Sequence, residues 1–459
     1  MPGAAVRPAP PSPWRRLPDR ARRHHAPSAG AEQRDLQAPD TRRDRGLCRL
    51  GRGPRQGRRL RHPGAGGGAD PGDRRLLFKH RRPAAVRDLA AARRRGLSLV
   101  KSVEITATDG LLLAGVVIDG RLTDLAAERL SRPSLAGAVV LARVERVDRV
   151  SAAAFLDIGT GRSAFLPLRG PEADSLRAGA PVVVQVVADP RGEKGAEATR
   201  DVALPGAGLI HLPFSANVAV SSRLGPAAKR DWQQRLEGGW IVRAASAGMA
   251  VDQVLDEAMR LARRWEAVAD RAEATRAPAL LEPAPGAARR LILDHPDAAR
   301  IVVDGAALLP PLQRWAAAAI PDLAPRIAAG AAPLGDALDT LLTPTVPLPS
   351  GGSITIEATR ALTVIDVDGG RAPDHVRANR EAAVEIARQL RLRNIGGTVV
   401  VDFISLRRGG DRAALLNAFR SALGDDPLRV HLSESLSPLG LAELARERRG
   451  QALADVVNG

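Results

Sequence analysis

The chain has 459 residues, room for roughly two to four domains. It contains no run of about 18 apolar residues that would cross a membrane. Its single cysteine, Cys48, excludes a disulfide framework and a cysteine zinc site. The net charge of +17 is confined: residues 1–100 hold 25 basic and 8 acidic side chains, whereas residues 101–459 hold 43 of each. Basicity therefore speaks for one segment and not for the whole protein. Tyrosine is absent and Phe and Trp number 6 and 5, so any base stacking rests on few rings.

Residues 1–98 read as a disordered Arg/Gly/Pro-rich leader. They show no apolar period before about Leu76, and Arg49–Gly68 has almost nothing to bury. Three readings stand for it: a start site assigned too far upstream, a solvated tail, or an arginine arm that screens phosphate. Regular pattern begins near Leu99. Val103–Ile105 and Leu111–Ile118 form a hairpin around Asp109-Gly110. Ala136–Val147, Ala153–Ile158, Ala164–Leu168 and Pro181–Ala188 are short strands spaced as in a small closed barrel. Helical patterning is expected from Pro213–Val220 onward, most clearly in Val251–Ala272. Ala277–Ala288 reads as a connector, Leu291–Leu293 and Ile301–Val303 as strands, and Leu308–Ala318 as a helix. Strands Ser353–Glu357 and Leu362–Val367 follow, then helix Glu381–Leu392 stopped by Gly396-Gly397, strand Thr398–Ile404, and a helix capped by Asp411.

Asp366 and Asp402 each interrupt an apolar strand near its carboxyl end. Two readings stand: strand-end caps, or a carboxylate pair around a divalent cation, where Mg²⁺ takes one or two carboxylates, waters and phosphate oxygens. Phe155 and Phe165 are either core residues or a base-stacking pair on a barrel face. Arg162 and Lys194 could add phosphate contacts, with solvated charge the alternative. Arg243 closes an apolar run after Gly238-Gly239, as a surface salt bridge or as a fork for phosphate.

Taken in order, the phrases AAFLDIGTGRSAFLPL, EKGA, SSRL, GGWIVRAA, LPSGG, ALTVIDVDGGR and EAAVEIARQLRLRNIGGTVVVDFISL resemble the ribonuclease E/G family, bacterial endoribonucleases of RNA processing and decay. The resemblance runs from about Val100 to Arg449. It implies an α+β multidomain fold in which an S1 (OB-type) β-barrel is inserted in a ribonuclease H-like and DNase I-like nuclease core. The implied parts are a ribonuclease H-like subdomain at 99–133 and 286–344, an S1 RNA-binding barrel at 134–205, a 5′-phosphate-sensor-like subdomain at 206–285 and a DNase I-like catalytic subdomain at 345–459.

By the same resemblance Asp366 and Asp402 are the catalytic, Mg²⁺-binding aspartates, and Asp368 stands where the family has a metal-site Asn. Phe155, Phe165, Lys194, Arg223, Arg243, Gly351 and Gly352 fall on RNA-binding positions. The implied activity is Mg²⁺-dependent cleavage of single-stranded RNA in the bacterial cytoplasm, with a non-cleaving RNA-binding protein as the alternative. Ala244 replaces a Thr of the family phrase, Arg360 replaces a Glu near the site, and the loop Ala372–Asn379 is short. The family's Cys-x-x-Cys zinc link has no counterpart before the chain ends at Gly459. No zinc-linked dimer is expected, and a homo-oligomer of another kind stays open.

Overall fold

The computed structural model describes residues 100–168, 176–191 and 194–458; the expected leader at 1–98 lies outside them. The chain begins with a meander of β1 (Lys101–Thr108), β2 (Leu111–Ile118) and β3 (Arg121–Arg129). Two tight turns make it. Asp109-Gly110 and Asp119-Gly120 all have positive φ, the conformation that a two-residue hairpin needs and that Asp-Gly adopts readily.

β4 (Val139–Asp148), β5 (Ala153–Asp157), β6 (Ala164–Pro167), β7 (Pro181–Ala188) and β8 (Glu197–Thr199) come next. β4 pairs with both β5 and β7, and β8 bridges β6 and β7, so the five strands close into a barrel. Closure removes every free edge, and alternate residues such as Val140, Leu156, Leu166 and Val184 fill the interior.

The segment after the barrel departs from the expected helical patterning at Pro213–Val220. It forms short strands β9 (Leu204–Pro205), β10 (Leu209–His211) and β11 (Val218–Val220), then α1 (Gly225–Arg235), β12 (Trp240–Val242) and α2 (Val251–Ala274). Three-residue strands carry too little period to be read locally; partners in β12 define them. α2 lays Val254, Ala258, Leu261 and Val268 on this small sheet.

β13 (Ala279–Glu282) then adds to the outside of β4. Leu291–Leu293 is not a strand but the end of helix α3 (Gly286–Asp294). Its buried residues Ala287, Ala288, Leu291 and Ile292 recur at helical spacing, which the compact Leu-Ile-Leu run conceals. β14 (Arg300–Asp304), α4 (Leu309–Ala319), β15 (Ile327–Ala329) and α5 (Gly335–Leu342) follow. β14 lies parallel to β1 and β15 parallel to β14, giving the order β15-β14-β1-β2-β3.

The last part contains β16 (Thr345–Pro347), β17 (Ser353–Ala358), β18 (Thr363–Asp368), α6 (His375–Leu392), β19 (Gly397–Asp402), α7 (Gly409–Leu423), β20 (Val430–Leu432), β21 (Leu441–Arg446) and α8 (Leu453–Asn458). The sheet order is β16-β17-β18-β19-β21-β20. Ile365, Val367, Val399 and Val401 pack one face of the sheet against Ala383, Ile386, Leu390 and Phe419 of α6 and α7. Full burial of a side chain such as Phe419 contributes about 1.5–3 kcal/mol.

The expected helix ends differ in start or in cap. α6 begins six residues before Glu381, because the Asp374 carboxylate accepts the amides of Val376 and Arg377. It ends at Leu392 as expected, but the left-handed residue after it is Asn394 rather than Gly396-Gly397: Asn394 takes φ +48° and the Ile395 amide returns to the Leu390 carbonyl. Asp411 does not cap α7. It sits inside the first turn, and the capping position is Arg408.

Candidate active site and nucleic-acid surface

β18 alternates strictly, with Thr363, Ile365 and Val367 buried and Val364, Asp366 and Asp368 exposed. The period of two puts Asp366 and Asp368 on the face that α6 and α7 leave open. β19 runs parallel to β18 with Asp366 opposite Asp402, and Asp402 is likewise exposed. The two carboxylates are therefore neighbours across one ladder, on strands about 4.8 Å apart. Thr355 stands opposite Asp366 on β17, and Leu441 opposite Asp402 on β21. No hydrogen bond or ion pair engages either carboxylate among the described residues, so neither is a strand-end cap.

A cavity of about 480 Å³ opens over this pair, walled by Asp366, Asp368, Gly369, Gly370, His375 and Asp402. Asp368 is partly committed, since its Oδ1 accepts the Gly370 amide at 2.8 Å. Among the described residues, no three His, Cys, Asp or Glu side chains gather as a ready ligand set.

The wall is held from behind by glycines. A Cβ on Gly352 would lie 2.4 Å from the Asp368 carbonyl, and one on Gly370 would lie 2.6 Å from the Gly351 carbonyl. Gly351-Gly352 therefore pack backbone to backbone on the turn that follows β18. The Ser350 amide donates to Glu381 of α6 at 2.8 Å, fixing the same loop.

Asn379, expected at the end of the loop Ala372–Asn379, lies instead within α6, which already begins at His375. Fully buried, it donates to the Ile404 carbonyl at 2.7 Å and accepts the Ile404 amide at 3.0 Å. That reciprocal pair pins the segment after Asp402 to α6. A polar residue on the apolar stripe of that helix was the available signal. The Thr359–Leu362 turn, which carries Arg360, joins β17 to β18 at the end opposite Gly369-Gly370. Arg360 is six residues before Asp366, about 20 Å along an extended strand, so its charge is not near the site as expected.

On the barrel, Phe155 and Phe165 face each other across β5 and β6, with ring centroids 6.1 Å apart at 73°. Phe165 is 39% exposed, and Arg146 covers the Phe155 ring at 4.2 Å. They form a surface patch, not core. Lys194 is exposed and bridges Arg191 in the connection from β7 to β8, next to Gly195, which packs on the Ser163 carbonyl just before β6.

Arg243 and Arg223 are placed differently. The Arg243 guanidinium donates to the carbonyls of Gly206 and Leu293 at 2.7 Å each and pairs with Asp294 at 2.6 Å. Glu257 of α2 accepts the amides of Ala207, Gly208 and Leu209 from the other side. Burial pushes the Glu257 carboxyl above its ordinary pKa despite those three donors. Burial also works against the Asp294 carboxylate, but the guanidinium groups of Arg449 and Arg243 outweigh it and hold its pKa low. Arg223 donates to the Gly424 carbonyl, across to the end of α7.

A family profile described as Ribonuclease E/G family matches residues 203–449. Ribonuclease G of Salmonella typhimurium is 31% identical over 381 residues, 74% of this chain and 78% of that protein. Ribonuclease E of Escherichia coli is 32% identical over 400 residues, 78% of this chain and 38% of that longer protein. Ribonuclease E of a Nostoc species is 36% identical over 304 residues, 60% of this chain and 44% of that protein. With more than half its length matched by the profile and a relative above 30% identity covered over most of its length, the chain belongs to the ribonuclease E/G family of endoribonucleases.

Proposed function

We propose that this endoribonuclease hydrolyses phosphodiester bonds of single-stranded RNA with Mg²⁺ held by Asp366 and Asp402. One observation carries the reading: two acidic side chains stand opposite each other on one open sheet face with no ion-pair partner among the described residues. Like charges so close repel unless a cation lies between them. Two carboxylates with open space around them fit Mg²⁺, which keeps several waters and does not require a closed protein cage. When bound, the ion supplies Lewis acidity and positive charge at the scissile phosphate. Asp368 supports the site from two residues on, holding the Gly370 amide and with it the wall of the cavity.

The other parts serve binding. Phe165 offers an exposed ring for unstacked bases with Phe155 beside it, and Arg146, over the Phe155 ring, and the exposed Lys194 are suited to meet backbone phosphate. The closed five-strand barrel at 134–205 supports an S1-type assignment. The order β3-β2-β1-β14-β15, antiparallel then parallel, supports a ribonuclease H-like subdomain split between 99–133 and 286–344. The sheet and helices at 345–459 are read as the DNase I-like catalytic part, and 206–285 as the sensor-like part. In that sensor-like part the bonds of Arg243 to Gly206, Leu293 and Asp294 favour positioning of the 206–209 segment over direct grip of a 5′-phosphate. Arg223 reaches the Gly424 carbonyl at the end of α7, and the Gly351-Gly352 loop backs the wall of the cavity on the last sheet.

Two outcomes are expected. An end-labelled, unstructured RNA is cut in Mg²⁺ to products with 5′-phosphate and 3′-hydroxyl ends. Excess chelator stops the cutting and restored Mg²⁺ revives it; RNA bound but never cut would favour the non-cleaving alternative. Phe165→Ala weakens RNA affinity by about 1–3 kcal/mol, roughly 5- to 150-fold, with the unfolding midpoint unchanged. A gel-shift titration at fixed salt measures it, and an unaltered affinity would return Phe165 to a packing role.

A further inference from the structure

A second cavity, of about 670 Å³, lies away from the paired aspartates, among β3, α3, the end of α6 and the 449–456 segment. Its volume is in the range of about 300–1,000 Å³ typical of small-molecule sites. Arginines dominate its wall, and they divide into two kinds. Arg391 is paired with Asp124 at 3.0 Å, Arg449 with Asp294 at 2.5 Å and Arg446 with Asp426 at 2.8 Å. These three bind the surrounding elements together.

Arg129, Arg132 and Arg290 are otherwise. Among the described residues none of them has an acidic partner. The remaining wall carboxylates are already spoken for. Glu128 accepts the amides of Ser134 and Ala287, and Asp189 accepts the Leu135 amide and the Ser134 hydroxyl. Arg290 donates to the Ala136 carbonyl at 3.1 Å, and Arg129 donates to the Val457 carbonyl while its Nε is buried without a partner. Burial, then the nearby Arg449 charge, push the Arg290 guanidinium below its ordinary pKa, against the pull of Asp294, Glu128 and Asp189. Arg290 keeps donors beyond its one carbonyl bond, and a guanidinium fork matches the oxygens of a phosphate.

We propose that this cavity is a binding site for a small phosphomonoester, its phosphate held by Arg290 and Arg132 with Arg129 behind them. A nucleoside 5′-monophosphate has the charge and size to occupy it. The site is separate from the cation site of Asp366 and Asp402, so its occupancy stands or falls independently of the nuclease reading.

Calorimetric titration of the full chain with AMP, and separately with inorganic phosphate, tests it. Saturable binding is expected, weakened about tenfold or more by Arg290→Gln and severalfold by Arg132→Gln. Arg132 is exposed at the mouth, so its replacement leaves the fold intact. Tighter binding of AMP than of phosphate identifies a nucleotide, and equal binding identifies the phosphate group alone; both support the site. Asp402→Asn is expected to leave AMP affinity unchanged. Absence of binding by both probes up to about 10 mM, or binding indifferent to Arg132→Gln and Arg290→Gln, overturns the proposal.

Discussion

Asp366→Asn and Asp402→Asn are each expected to lower RNA cleavage by about a hundredfold to a thousandfold, the effect of removing one charge-stabilising group from a reaction centre. Neither should unfold the protein. Both side chains are exposed, and neither has a protein partner to lose. Exposed substitutions of this kind stay within about 0.5 kcal/mol, and removing one of two neighbouring negative charges acts in the stabilising direction. Single-turnover cleavage at saturating enzyme, read beside the thermal midpoint, separates chemistry from stability. Asp368→Asn should be far milder, because an amide oxygen still accepts from Gly370. If both Asp366→Asn and Asp402→Asn cut RNA like the parent, the proposed cation site is wrong.

Asp426→Ala is expected to cost about 3–5 kcal/mol in stability, the range for breaking a buried ion pair from one side. The Arg446 guanidinium grips both Asp426 oxygens at 2.8 and 3.2 Å and donates to the Ile395 carbonyl at 2.9 Å. Their side chains are 3% and 0% exposed. Asp426 also accepts the Leu428 amide. Removing it leaves a guanidinium charge inside the protein and a backbone amide unpaired. The consequence reaches the proposed cation site, because Arg446 ends β21, and β21 flanks β19, which carries Asp402. Urea unfolding should show a lowered midpoint with an unchanged slope. Replacing both partners, Asp426→Leu with Arg446→Met, should recover much of the loss. A single-variant cost under about 1 kcal/mol would mean that water reaches the pair.

Much of this arrangement was legible from the residues because local and tertiary demands coincide there. Asp109-Gly110 supplies both the turn residues and the register of its hairpin. The apolar runs around Asp366 and Asp402 are strands, and the two acids stand out because they interrupt those runs while keeping the period of two. Elements defined by distant partners were harder. β3 holds Asp124, Glu128 and Arg129, polar residues that bond to Arg391, to the amides of Ser134 and Ala287 and to the Val457 carbonyl. In sequence it has too many charges for a strand. β10 and β11 exist through β12, and the first turns of α6 depend on the Asp374 cap rather than on apolar spacing. Arg243 shows the same limit at the level of function: an arginine closing an apolar run gives no sign that three partners inside the protein will claim its donors.

The abutting glycines beside the paired aspartates have a consequence for substrate choice. Where Gly351-Gly352 lean on Gly369-Gly370, backbone packs on backbone, and the side chains of His375 and Ile404 stand just beyond Gly369. Under the proposed function, a strand laid along the glycines would meet few side chains, and discrimination among RNA letters would fall chiefly to the aromatic patch or to the fold of the transcript itself.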